Sequence, residues 1–135
     1  KKVAMSLSDK FCVDRHKSHF LNLVKNRLDI TFSNEEEIMS LIDAKNFNEV
    51  IEFAKQIKKL LVITRGDKGA ISINGDEVVE NGVEKNLSIK DLTGAGDLFA
   101  SGFLHGNINN LSSIECLDKG RQMSSKVIQQ IGARL

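Results

Sequence analysis

The stretch 91–106, Asp-Leu-Thr-Gly-Ala-Gly-Asp-Leu-Phe-Ala-Ser-Gly-Phe-Leu-His-Gly, sets an anion cradle and a carboxylate one residue apart. Gly94, Ala95 and Gly96 are small enough to let a phosphate approach the backbone, and an apolar, helix-compatible run follows. A helix start offers unpaired N–H groups and the positive end of the peptide dipoles, so it attracts an anion. Asp97 alone would repel that anion. Its place makes sense if the carboxylate takes a proton from a hydroxyl that attacks phosphorus. The chemistry suggested is phosphoryl transfer, with Asp97 as the base. The plain alternative is a glycine-rich turn capped by Asp97, without chemistry.

Other residues bear on the same question. In Asn34-Glu35-Glu36-Glu37 the spacing puts Asn34 and Glu37 on one side of a first helical turn. Carboxylate oxygens suit magnesium, usually through water and substrate phosphates. A capping box with a solvated acidic turn is the alternative. In Thr64-Arg65-Gly66-Asp67-Lys68-Gly69, Gly66 and Gly69 permit turn shapes that larger residues resist. His16 and His19 are spaced to share a helix face, but no further ligand is near in sequence, so a solvated surface is expected. His105 falls near a helix end, where a cap or dipole role is expected. Cys12 and Cys116 lack metal-ligand spacing and read as two reduced thiols.

The elements that must position these groups follow from periodicity. Residues 3–7 read as a short buried strand and 14–26 as an amphipathic helix with Phe20, Leu21, Leu23 and Val24 on its apolar side. A strand over 29–33 leads into a helix over 35–41 with Asn34 as N-cap. A helix over 48–58 and an apolar strand over 60–64 come next. Turns at 65–69 and at Asn74-Gly75-Asp76 separate strands at 70–73 and 77–80. A last strand is expected at 87–89, then helices at 95–107 and 112–131. Strands alternate with helices in the first half, which favours a parallel sheet covered on both sides, with a mixed edge from the later hairpins.

Composition narrows the function classes. The chain has 135 residues, 41% hydrophobic and 27% charged, with net charge +1, as in one modest soluble globular domain. Dispersed lysines and the lack of Trp and Tyr exclude nucleic-acid partners, and the charge gives no case for a membrane surface. No run approaches the ~18 apolar residues of a membrane span. With no secretion signal, the cytoplasm is expected. No Gly-x-Gly-x-x-Gly opens a helix after the first strand, and no Gly-Lys-Ser/Thr occurs, which speaks against dinucleotide oxidoreductases and P-loop enzymes. The chain opens with Lys1-Lys2 and no Met, so a piece of a longer protein is expected.

Asp91, Thr93, Gly94, Ala95, Gly96 and Asp97 resemble the Asp-Thr-x-Gly-Ala-Gly-Asp signature of the ribokinase/PfkB family of sugar and nucleoside kinases, departing from it at Leu92. Asn34 with Glu37 resembles that family's Asn-x-x-Glu motif, and 64–69 its Thr-x-Gly-x-x-Gly turn. The resemblance implies a ribokinase-like three-layer α/β/α fold with an incomplete sheet. Residues 1–135 would be the C-terminal nucleotide-binding and catalytic part, without the N-terminal substrate and lid part. It implies ATP-dependent phosphorylation of a sugar or nucleoside hydroxyl, with wording closest to adenosine-kinase-like members. Asp97 would be the base, and Gly94, Ala95 and Gly96 the anion hole. Asn34, Thr64, Gly66, Ser125 and Gly132 would border ATP, and Glu37 would serve Mg2+. Asp91 and Thr93 resemble a monovalent-cation loop, which brings in K+. The partners implied are a small-molecule sugar or nucleoside and the missing N-terminal part of the same chain, with a homodimer of the parent left open. A nucleotide-binding fragment without kinase activity of its own is the competing expectation.

Overall fold

The computed structural model describes residues 1–135. Five strands, β1 (Ala4–Ser6), β2 (Ile30–Asn34), β3 (Leu60–Thr64), β4 (Ala70–Asn74) and β5 (Glu77–Asn81), form one sheet in sequence order. β1, β2 and β3 are parallel, and their register sets Asn34 opposite Thr64. The two-residue turn at Gly75-Asp76 joins β4 to β5, a link short enough only for antiparallel neighbours. The sheet is therefore mixed, in the ribokinase-like α/β manner. β1 lies at one end of the strand order, with β2 as its single neighbour.

Six helices accompany the sheet: α1 (Lys10–Arg15), α2 (Lys17–Asn26), α3 (Glu35–Leu41), α4 (Phe47–Ile57), α5 (Ala95–Ile108) and α6 (Ser113–Val127). Local chemistry explains most of their starts. Asp9, Asn34, Asn46 and Ser112 each accept a hydrogen bond from a first-turn N–H, and Asn34 and Ser112 complete capping boxes with Glu37 and Glu115.

The chain divides into two compact units, residues 1–65 with 71–78, and residues 66–70 with 79–135. In the first, Leu61 and Ile63 on β3 and Ile71 and Ile73 on β4 alternate toward a core filled by Val13, Val24, Ile38, Leu41, Val50 and Ala54. The strand residues of opposite phase, Ile30, Phe32 and Val62, are buried too, so both faces of the sheet are covered here, and β3 reads as a near-continuous apolar run while β2 buries Thr31 and Ser33 as well. In the second unit, α5 and α6 cross closely. A Cβ on Gly102 would stand 2.4 Å from the Lys119 carbonyl oxygen, and one on Gly120 2.9 Å from that of Phe99.

Three expectations need correction. The helix over 14–26 is two helices, broken at His16 (φ −129°, ψ 35°), so His16 and His19 do not share one helix face. The strand at 87–89 does not form. Asn86 sits in the left-handed region (φ 61°), and the N–H groups of Lys90 and Asp91 both donate to the Ile128 carbonyl rather than to a ladder. Ile89 is left 61% exposed. The final helix ends at Val127 instead of 131: beyond it the Gln129 and Gln130 N–H groups reach back only three residues, to the Lys126 and Val127 carbonyls, and the Gly132 N–H, which a continued helix would give to the Ile128 carbonyl, donates to Asp91 Oδ2.

Candidate functional site

In the first unit, the end of β2 runs straight into α3. Asn34 Oδ1 accepts from the Glu37 N–H at 2.8 Å, and Glu37 Oε2 accepts from the Asn34 N–H at 3.0 Å. Glu37 Oε1 accepts from Asn34 Nδ2 at 3.0 Å, so both carboxylate oxygens are engaged by one residue. Glu37 is 6% exposed. Burial pushes its carboxyl above the usual range, while hydrogen bonds from Asn34 and Ser33 pull it back only in part. Thr64 faces Asn34 across the β2–β3 register. Arg65, next in the chain, donates from Nη2 to Glu35 Oε1 at 3.2 Å and lies 3.6 Å from the centre of the Phe47 ring.

In the second unit, Asp91 organises the approach to α5. Its Oδ1 accepts from the Thr93 N–H (2.9 Å) and hydroxyl (2.6 Å), and its Oδ2 from the Gly132 N–H (3.0 Å). The Thr93 hydroxyl, and then the two backbone donors, hold this carboxyl below the usual aspartate range. Gly94 then adopts a left-handed conformation (φ 80°), and a Cβ there would come within 2.7 Å of the Ala133 Cβ. Glycine is needed on both counts.

The α5 start has no side-chain cap, nor has that of α2, whereas α1, α3, α4 and α6 each have one. The Ala95 N–H turns back to the Leu92 carbonyl at 3.2 Å. Gly96 differs from Gly94: its φ is not in the left-handed region, and a Cβ on it would meet nothing within 4 Å. Neither packing nor backbone demands a glycine there, and the space above it is open to a ligand. Asp97 is exposed in the first turn of α5. Ser125 is buried in α6, and its carbonyl accepts from Gln129 Nε2 at 2.9 Å.

The sequence-derived residues thus fall into two groups. Asn34, Glu37 and Thr64 come together in the first unit. Asp91, Thr93, Gly94 and Gly132 are linked in the second, next to Gly96 and Asp97. The free α5 start and the open space at Gly96 fit a phosphate. Glu37 has the oxygen donors magnesium prefers, though with both oxygens held by Asn34 it suits a metal reached through water. Both Asp91 oxygens accept from N–H or O–H donors, Oδ2 from one only, so lone pairs remain that a potassium ion could use. No three His, Cys, Asp or Glu side chains gather into a metal-binding group. An open cleft of ≈ 730 Å3 is lined by Lys10, Glu35, Glu36, Met39, Ser40, Asp43 and Ala44, none of them a residue singled out from sequence for the site. No helix is long and apolar enough to cross a membrane.

Arg65 is the residue that sequence reasoning passed over. It lies inside a turn that drew attention for its glycines, while its partners stand at positions 35 and 47, on separate helices. The basic residue at a strand end and the aromatic at a helix start were visible, but their meeting was not.

Known proteins resemble this chain along its length. The model of the pfkB family of carbohydrate kinases matches residues 1–135. A cytidine kinase of Thermococcus kodakarensis is 32% identical over 114 residues, covering 83% of this chain and 41% of that protein. The adenosine kinase of Sinorhizobium meliloti superposes with TM-score 0.96 at 38% identity, over 100% of this chain and 42% of that one. The adenosine kinase of Anopheles gambiae, solved with P1,P4-di(adenosine-5) tetraphosphate, gives TM-score 0.82 at 25% identity, over 98% of this chain and 43% of that one. The chain therefore spans about two-fifths of the length of these relatives. With the family model matched from end to end and the glycine-bounded, uncapped α5 start in place, the chain belongs to the pfkB family of carbohydrate kinases.

Proposed function

We propose that residues 1–135 are the C-terminal, nucleotide-binding and catalytic part of a longer kinase polypeptide that uses ATP to phosphorylate a sugar or nucleoside hydroxyl, with adenosine or a related nucleoside favoured. The observation that carries this is the α5 start, entered from left-handed Gly94, free of any side-chain cap and followed at once by exposed Asp97. Asp97 accepts the proton of the acceptor hydroxyl as its oxygen bonds to the γ-phosphorus and the bond to ADP breaks. The N–H groups of Gly94 and Gly96 hold the transferring phosphoryl oxygens, and that of Ala95 joins them by releasing the Leu92 carbonyl. The residues that the family resemblance assigns to the nucleotide are Asn34 and Thr64 in the first unit and Gly66, Ser125 and Gly132 in the second. Glu37 would hold magnesium through water, and the ion would supply charge neutralisation on the phosphates. Asp91 and Thr93 brace the turn and would supply oxygens to a monovalent cation such as potassium.

A second reading is supported by the two-fifths span: the 135 residues alone bind nucleotide without turning it over. ATP-consumption assays of the full-length polypeptide with adenosine, cytidine and ribose test the proposal. Acceptor-dependent ADP release, fastest with a nucleoside, is expected. Release that no acceptor accelerates contradicts it.

A further inference from the structure

We propose that Arg65 is a positioning residue whose guanidinium, clamped between Glu35 and the Phe47 ring, keeps Asn34 and Thr64 side by side for the nucleotide. The inference rests on the nucleotide role proposed for Asn34 and Thr64.

Glu35 is the first residue of α3 and Phe47 the first of α4, so one side chain at the end of β3 touches the opening turns of two helices. Each contact sits one residue from the group it steadies, since Glu35 follows Asn34, Arg65 follows Thr64, and Asn34 and Thr64 are register partners. The geometry uses what distinguishes arginine from lysine. A flat face rests on an aromatic ring while one edge donates to a carboxylate, which a compact ammonium on a flexible stem cannot do together.

The arrangement is not the cheapest way to fill the space. The Arg65 Nε is buried with no hydrogen-bond partner, which is costly. A cation beside helix starts also faces the unfavourable end of the dipole, which Glu35 offsets. An apolar side chain would avoid both costs. What the arginine supplies is orientation of the strand ends, and that places it in the nucleotide site's support.

The test uses the full-length polypeptide and the variants Arg65→Met, Arg65→Lys and Phe47→Leu, the last keeping an apolar side chain while removing the ring. Steady-state KM for ATP, KM for the acceptor, kcat and the melting midpoint are measured for each, beside Asp97→Asn. Both Arg65 variants are expected to raise the ATP KM about tenfold, the scale of one desolvated stacking or charge contact, and Phe47→Leu about threefold, with the acceptor KM unmoved. A lower melting midpoint with unchanged ATP KM overturns the proposal in favour of a purely structural role. Full recovery of the ATP KM by lysine overturns the need for a planar clamp. Absence of acceptor-dependent ATP turnover in the unmodified polypeptide sinks the kinase reading itself, and full turnover in Asp97→Asn sinks only the base role, whereas lost turnover there with an unmoved ATP KM in the Arg65 variants sinks only the clamp.

Discussion

Gly94 and Gly96 are two residues apart and do opposite things. Gly94 is required by the fold, because its φ is 80° and a Cβ would lie 2.7 Å from that of Ala133. Gly96 is required by nothing in the fold, since a Cβ there meets open space. Gly94→Ala should therefore destabilise the chain by about 1–3 kcal/mol in urea unfolding. Gly96→Ala should leave stability level or raise it by roughly 0.5–1 kcal/mol through helix propensity. In the full-length polypeptide the same Gly96→Ala should weaken ATP binding in calorimetry, because the methyl fills the phosphate's approach. Equal stability losses in both variants would contradict this division. Residue types near position 97 were legible in the sequence, since small side chains before a carboxylate are a chemical statement by themselves. The difference between the two glycines was not, because it depends on where Ala133 arrives. Arg65 was illegible for the same reason, its partners being set by tertiary contact.

Among the elements, α3 shows how one feature can serve two purposes. Its capping box satisfies the helix start and also dries out Glu37, whose raised pKa follows from burial. The fold thus favours the neutral form more than the unfolded chain does. Glu37 therefore contributes stability fully below its unfolded pKa, and that contribution is lost as pH rises through the folded value. Asp91 runs the other way: its depressed pKa gives stability present above the ordinary aspartate value and lost as pH falls. Glu37→Gln should thus gain in urea midpoint relative to the unmodified chain as pH rises from about 4 to 7. Parallel profiles would contradict it. The cap itself was readable, because Asn34 and Glu37 have the right spacing before an apolar run. Less readable were the break at His16, the failed strand at 87–89 and the early end of α6. In the failed strand, the Ile128 carbonyl takes the Lys90 and Asp91 N–H groups, and past the end of α6 the Gly132 N–H goes to Asp91, contacts between segments distant in sequence that no periodicity announces.

At the scale of the whole molecule, alternating strands and helices made the α/β class and the parallel β1–β2–β3 set legible. The division into two units was not, since residues 66–70 group with the chain beyond 78. Membership of the pfkB kinases holds over the full 135 residues, and the chain spans 42% of the Sinorhizobium meliloti adenosine kinase. The proposed chemistry turns on Asp97 as the base of a phosphoryl transfer at the α5 start. The most direct measurement compares turnover and ATP affinity of Asp97→Asn with the unmodified full-length polypeptide. Asparagine keeps the side chain's shape but cannot take the proton, so kcat should fall by about 10²–10⁴-fold. ATP affinity should hold or improve, because a negative charge beside the phosphates is gone. Near-normal turnover in Asp97→Asn would contradict the base role, and ATP affinity lost along with turnover would point to a role for Asp97 in shaping the turn rather than in the chemistry.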